Sequence, residues 1–207
     1  MPINDYCTAA EIKAAMPDGN WGTSYDTLLS ILAARASRTI DRYTARKPGA
    51  YKVDADVTRY YDGSGEAEQL IGELAAAPTS VAVAEGGDIK TPTYTLWAST
   101  DYMLWPYNAL DRGEPYTRLV IDNLNGSKSV WYEYPKSVKI VGKFGYSAAP
   151  PDDVVQATII QAARWFKRGQ QAFQDTGAIV ELGQLTYTKA LDPDVALLIE
   201  HLRRMAI

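Results

Sequence analysis

Cysteine and histidine each occur once in this chain of 207 residues, as Cys7 and His201. One thiol excludes an internal disulfide, and one thiol with one imidazole leaves too few ligands for a zinc ribbon or a His-based metal triad. No metal and no cofactor is therefore expected, and the lone thiol fits a reducing compartment. Long hydrophobic runs are also missing. The most apolar stretch, Leu74–Ala84, is broken by Pro78, and no window approaches the roughly 20 apolar residues of a membrane helix. Nor is there an excess of basic charge: 21 Lys and Arg stand against 25 Asp and Glu, for a net charge of -4. That balance argues against a basic nucleic-acid-binding coat. Met1–Lys13 carries Asp5 and Glu11 and lacks the apolar segment of a secretory signal. The expectation is a chain made in the cytosol and kept soluble there, with no membrane contact, unless it joins an assembly.

The residues present describe an ordinary folded chain, 46% apolar and 22% charged. A chain of this size buries roughly 70% of its unfolded surface. Its order reads helix, strands, helix. In residues 1–48, Thr8 with Glu11 three positions on forms a capping box for a short helix. A second helix starts near Ser24, with Tyr25, Leu28, Leu29, Leu32, Ala36, Ile40 and Tyr43 on one face, and Pro48–Gly49 stops it.

Residues 51–147 change character. Pro, Gly, Thr, Tyr and Val rise and the helical period vanishes. The expected strands are Val57–Tyr61, Glu68–Ile71, Ser80–Ala84, Thr93–Leu96, Tyr102–Trp105, Arg118–Ile121, Ser129–Tyr132 and Val138–Phe144. Asp62-Gly63, Gly86-Gly87 and Asn125-Gly126 read as hairpin turns. This middle segment has 13 acidic and nine basic residues, so it holds the whole net charge. From residue 151 the chain turns helical again. Pro151 suits a first helical position, and Val154, Val155, Thr158, Ile159, Ala162, Trp165, Phe166 and Phe173 share a face. A Gly-punctuated linker, Asp175–Gly183, precedes an expected strand, Gln184–Thr188. Asp192-Pro193 opens a last helix with Val195, Leu198, Ile199 and Leu202 as its stripe. The fold class is α+β: a helical bundle of N-terminal and C-terminal helices with a large inserted antiparallel β-module. One domain spans 1–207, its helical parts 1–48 and 151–207 and its insertion about 53–147.

Catalytic constellations are thin. Gly63-Ser64-Gly65 lacks the Lys-Ser/Thr pair of a phosphate loop and reads as a turn. Cys7 and His201 lie at opposite ends of the sequence, outside any nucleophile context. Asp101, Asp111, Asp122 and Glu133 sit among aromatics, as in a sugar-hydrolysing cleft, but no spacing singles out an acid and a base. No enzyme is expected. The aromatics are more informative. Fourteen Tyr and five Trp include Tyr94, Trp97, Tyr102, Trp105, Tyr107, Tyr116, Trp131, Tyr132 and Tyr134. They read as the core of a β-module, as a contact surface, or as a carbohydrate-binding face. Arg35, Arg38, Arg42 and Arg46 line the second helix, either as a solvated flank or as an electrostatic seam against an acidic neighbour or DNA phosphate. Ile160 and Leu197 lie off their helices' apolar stripes and point to a second buried surface, such as a subunit contact.

Several segments, in order, resemble one family. These are Thr8-Ala9-Ala10-Glu11-Ile12-Lys13, Ser37–Thr44, Thr58–Gly65 (Thr-Arg-Tyr-Tyr-Asp-Gly-Ser-Gly), Pro78–Val81, Asp101–Pro106 and Pro115–Leu119. Val138–Ser147, ending Phe-Gly-Tyr-Ser, then runs into Pro150–Ala157 and on to Arg164–Arg168. Together they resemble the head–tail connector (adaptor) proteins of tailed bacteriophages, across almost the whole chain. At the last junction Gly142 and Gly145 permit bends, and the prolines break the strand and preset the helix start.

That resemblance implies a structural virion protein at the head–tail junction. It would form a homo-oligomeric ring, twelve-fold in the virion, below the portal protein. The ring would extend the channel through which double-stranded DNA passes without specific binding, and dock a tail-side stopper or tail completion protein. On that picture Arg35, Arg38, Arg42, Arg46 and Ile160 face the neighbouring subunit. Leu197, Arg203, Arg204 and Met205 face the portal, and Trp97, Trp105 and Tyr107 face the tail. The alternative is a carbohydrate- or cell-surface-binding module using the Tyr/Trp-rich segment.

Overall fold

A computed structural model of the chain describes residues 5–16, 19, 21–86, 88, 90–170, 176–179, 183–186 and 191–204. The chain divides into two compact units, one of Met1–Gly49 with Pro150–Ile207 and one of Ala50–Ala149. The combination of helices with antiparallel sheets is the expected α+β class.

The first unit is built on α1 (Ala9–Ala14), α2 (Asp26–Tyr43), α3 (Asp152–Gln170) and α4 (Pro193–Ile199). The capping box forms as the sequence requires: the Glu11 N–H donates to Thr8 Oγ1 at 3.2 Å, and the Thr8 N–H donates to Glu11 Oε2 at 2.7 Å. Leu29, Leu32, Ala33 and Ala36 of α2 pack with Ile12 and Met16 and with Ile159, Ala162 and Phe166 of α3. Each of the leucine, isoleucine, methionine and phenylalanine side chains contributes about 1.5–3 kcal/mol by leaving water, and the alanines less. Trp21 meets Phe166 edge to face at 5.1 Å. Asp192 caps α4 by accepting from the Asp194 N–H, and Arg164 of α3 bonds the same carboxylate at 2.7 Å. No described helix is long and apolar enough to cross a membrane.

The expected core face of α2 needs one correction. Tyr25 and Leu28 are exposed, and Ala33, Ser37 and Asp41 are buried in their place. The buried arc is centred on Ala33, Ala36 and Ile40, which leaves Leu28 outside it. The Asp175–Gly183 linker also holds structure: β8 (Thr176–Ile179) pairs antiparallel with β9 (Gly183–Thr186). Gly177, which pairs with Leu185, interrupts the apolar alternation that would have marked β8 in the sequence.

Among the described residues the second unit has seven strands: β1 (Val57–Tyr61), β2 (Glu68–Leu74), β3 (Ser80–Val83), β4 (Thr95–Leu96), β5 (Tyr102–Trp105), β6 (Tyr116–Ile121) and β7 (Val138–Gly142). They form two antiparallel sheets, ordered β1-β7-β3-β4 and β2-β6-β5. Both sheets feed one core of Ile71, Leu74, Val81, Val83, Leu119, Ile121, Val138 and Ile140, with Trp97, Trp131 and Phe144. Carbonyls of the edge strand β2 are occupied locally. Ser64 Oγ donates to the Glu68 carbonyl at 2.6 Å, Gln69 Nε2 to Leu70 at 3.1 Å and the Tyr61 hydroxyl to Ile71 at 2.5 Å, which leaves less for a foreign strand to pair with.

Three local expectations change here. Asp62-Gly63 and Asn125-Gly126 are not hairpin turns, because each lies between strands of different sheets. At Gly63 a Cβ would stand 1.9 Å from the Tyr132 carbonyl oxygen, so the glycine serves a close backbone approach rather than a reversal. Ser129–Tyr132 is not a strand. It makes isolated bonds, Trp131 N–H to Glu66 O at 3.1 Å and Gly65 N–H to Trp131 O at 2.9 Å, and its fully buried indole anchors it in place of a ladder. Only Gly86-Gly87 lies between consecutive strands that do pair, β3 and β4.

Candidate interaction surfaces

The four arginines of the second helix separate into two kinds. Arg38 is tied inward, with Nη1 3.2 Å from Asp41 Oδ2 and its guanidinium over the Tyr6 ring at 5.4 Å. Arg46 donates from Nη2 to the Leu202 carbonyl at 3.1 Å. Arg35 and Arg42 are exposed and make no ion pair among the described residues. The expected four-residue seam is thus two surface cations and two internal ties. Asp41 lies at its centre, nearly fully buried. Burial pushes its carboxyl above the ordinary range, against the lowering influence of the Tyr6 hydroxyl, Arg38 and the Gly49 N–H. On the surface side of α2, Leu28 and Ile31 join Arg35 and Arg42. Ile160 on α3 is half-buried.

At the C-terminal end, Leu197 is 80% exposed and projects from α4. Arg203 pairs with Glu200 at 3.1 Å and lies over the Tyr43 ring, and the Arg204 N–H donates to the Thr44 carbonyl. Both arginines stay exposed, so their backbone is pinned while their side chains face out. Met205 lies outside the described residues.

The aromatic trio expected on the tail side does not stay together. Trp97 is buried at 3% exposure and stacks on Trp131 inside the β-core, so it is a packing residue. Trp105 and Tyr107 remain on the surface, 44% and 69% exposed. They stand where β5 enters the 106–115 loop, with Leu110 also exposed. Trp105, Pro106, Tyr107, Asn108, Asp111 and Arg112 line an open depression of about 470 Å³. A second open depression, of about 730 Å³, lies beside β2 and is lined by Asp62, Ser64, Glu66, Glu68, Leu70 and Arg118.

Of the four carboxylates singled out in the middle segment, Asp101 and Asp122 are committed to local turn bonds. Asp101 accepts from the Ser127 and Ala98 N–H groups at 2.9 Å each, and these bonds hold its carboxyl below the usual range. Asp122 is lowered by bonds from Asn125 and Leu124, which close a local turn. Asp111 lines the hairpin depression, and Glu133 flanks Gly65. Cys7 is buried among Ile12 and Leu29, and burial with nearby acids pushes its thiol up to about 12. His201 is exposed, 3.6 Å from Asp153.

No family model matches the chain, and neither does any curated protein. Solved structures do match over its full length. The chain shares its fold with chains from gene transfer agent (GTA) particles. One match is in the neck of an empty GTA particle computed with C6 symmetry, 15% identical with a TM-score of 0.57. A second is in the neck of a native GTA particle computed with C12 symmetry, 17% identical with a TM-score of 0.51. A third is in the virion of a native gene transfer agent (GTA) particle, 18% identical with a TM-score of 0.53. Each covers all of this chain and 97% of the matched one. At these identities the likeness establishes the fold alone.

Several surface residues were not singled out by sequence reasoning: Ile31, Leu70, Met103, Leu110 and Leu124, all exposed. Leu70 carried a readable signal. It is next to Ile71 in one strand, and adjacent strand residues point to opposite faces. Ile71 and Gln69 face inward and are buried, which leaves Leu70 in solvent at 69% exposure. For Ile31 the equivalent signal was its position opposite Ala33 and Ala36 on the helical wheel.

Proposed function

We propose that the chain is a structural protein of the head–tail junction of a tailed, phage-like particle. In this reading, both units act as one adaptor. Copies form a ring below the portal, extend the DNA channel and connect the head to the tail. The observation that carries it is full-length likeness in fold to chains from two neck structures, one computed with C6 and one with C12 symmetry. Chemistry agrees. DNA must slide through such a channel, and each neutralised phosphate strengthens binding by releasing counterions. A chain of net charge -4 suits passage over grip.

Arg35 and Arg42, with Arg38 and Arg46 bracing the helix behind them and Ile160 on α3, form the proposed subunit-facing side. Leu197, Arg203 and Arg204 form the proposed portal side. Trp105 and Tyr107 form the proposed tail side. Size exclusion with light scattering tests the reading, on the purified protein alone and mixed with its portal. A ring-sized particle, or co-migration with the portal, is expected. A monomer that ignores the portal overturns it.

A second reading rests on the depression at the β5–β6 hairpin. An exposed Trp105 ring beside Asn108, Asp111 and Arg112 offers stacking and hydroxyl-directed hydrogen bonds to a saccharide. Affinity for a glycan panel that is lost in Trp105→Ala favours this carbohydrate-binding module.

A further inference from the structure

We infer that the outer stripe of α2 in one copy seats in the depression beside β2 of the next copy. This inference rests on the ring reading above and names the two faces that close the ring. A cyclic ring needs two different patches on each chain, because its contact is heterologous. The chain carries two such patches, and their chemistries are opposite.

The first patch is on α2. Leu28 and Ile31, each 46% exposed, continue into Arg35 and Arg42 along one side of the helix, opposite Ala33 and Ala36. It is apolar at one end and cationic at the other. The second patch is the 730 Å³ depression, with Leu70 on its wall, 69% exposed. Asp62, Glu66 and Glu68 share it with a single base, Arg118, which is already committed to Glu68 at 2.8 Å. Asp62 and Glu66 are thus the acidic excess.

The spacings also agree. Ile31 and Arg35 are one helical turn apart, about 6 Å along the axis. Leu70 and Glu68 lie two strand residues apart, about 6.7 Å on one face. An apolar contact between Ile31 and Leu70 therefore brings Arg35 level with the acidic end of the depression. Self-pairing of either patch would set like charges together, Arg against Arg or Asp62 and Glu66 against their own copies. That repulsion favours head-to-tail closure over a two-fold dimer.

The test uses the full chain, with the double variant Ile31→Cys/Leu70→Cys assembled and then oxidised. Cys7 is buried with its thiol pushed up to about 12, so it does not compete. The expected result is a ladder of covalent multimers that neither single cysteine variant gives. In parallel, Arg35→Glu should lower the yield of ring-sized particles at least about tenfold, and Glu66→Arg in the same chain should restore it. Restoration also shows that the single variant had folded. Ring-sized particles that form no multimer ladder, or a cross-link confined to the monomer, overturn the proposed contact and leave the ring reading standing. A wild-type chain that forms no ring, alone or with its portal, overturns both.

Discussion

The indoles of Trp97 and Trp131 stack inside the β-core with ring centroids 4.6 Å apart and planes inclined by 27°. They lie 34 positions apart in sequence, and Trp131 comes from a segment without strand structure. Trp131 Nε1–H donates to the Ala67 carbonyl at 3.1 Å, whereas Trp97 Nε1–H has no acceptor among the described residues. Either ring truncated to alanine should lower unfolding stability by about 3–5 kcal/mol. Trp131→Phe should cost more than Trp97→Phe, because only the former loses an indole hydrogen bond, the one to the Ala67 carbonyl. Denaturant titrations of the four variants check this. Equal costs for the two phenylalanine variants would contradict it.

Trp105 and Tyr107 should behave in the opposite way. Tyr107→Ala should change stability by no more than about 0.5 kcal/mol, as expected for an exposed side chain. On the proposed reading, Trp105→Ala or Tyr107→Ala leaves ring formation intact and reduces tail joining. Particle counts by negative-stain microscopy, tailed against tailless, provide the measurement. Loss of folding together with joining would mark these residues as structural.

Two buried carboxyls should titrate with opposite signs. Asp101 is held below its ordinary value by the Ser127 and Ala98 N–H groups. Its folded-state pKa is depressed, so its stabilisation is present above the unfolded value of 3.8 and is lost as pH falls through the folded value. Asp101→Asn should therefore weaken the β-unit at pH 7 and flatten its acid limb. Asp41 is raised by burial, so the folded state binds a proton more readily than the unfolded chain. Its contribution is most favourable below the unfolded value of 3.8 and is lost as pH rises through the folded one. Asp41→Asn should remove that loss. Unfolding free energies measured at several pH values, wild type minus variant, should slope in opposite directions for the two sites.

Cys7 should be chemically silent in the native protein. Its thiol is buried and pushed up to about 12, so the reactive thiolate is nearly absent at neutral pH. A disulfide exchange reagent at pH 8 should label it only as fast as the helical unit opens, and rapidly once denaturant is added. Rapid stoichiometric labelling of the folded protein would reject this placement.

Much of this was legible in the residues, and the losses have identifiable causes. The Thr8–Glu11 capping box, α2, α3 and all seven β-unit strands were marked by periodicity, caps and β-branched runs, which are local properties. The arginine stripe was visible as a spacing. Its division was not, because Asp41, the Tyr6 ring and the Leu202 carbonyl that hold Arg38 and Arg46 come from other segments or from within the helix turn. The turn signals at Asp62-Gly63 and Asn125-Gly126 were real breaks in the chain. They were read as hairpins because nothing in a dipeptide states which sheet the next strand enters.

By itself the sequence determined the order of helix, β-module and helix, the acidity of the middle segment and the scarcity of cysteine and histidine. These follow from composition and from periods of two and 3.6 residues. Tertiary structure alone decided which aromatics pack and which meet solvent. Trp97 and Trp105 have the same side chain and both lie in the β-unit, yet one stacks on Trp131 and the other stands 44% exposed. The physical reason is that a ring's environment is set by the face its backbone presents and by the segment packed on that face, and here that segment comes from more than thirty residues away.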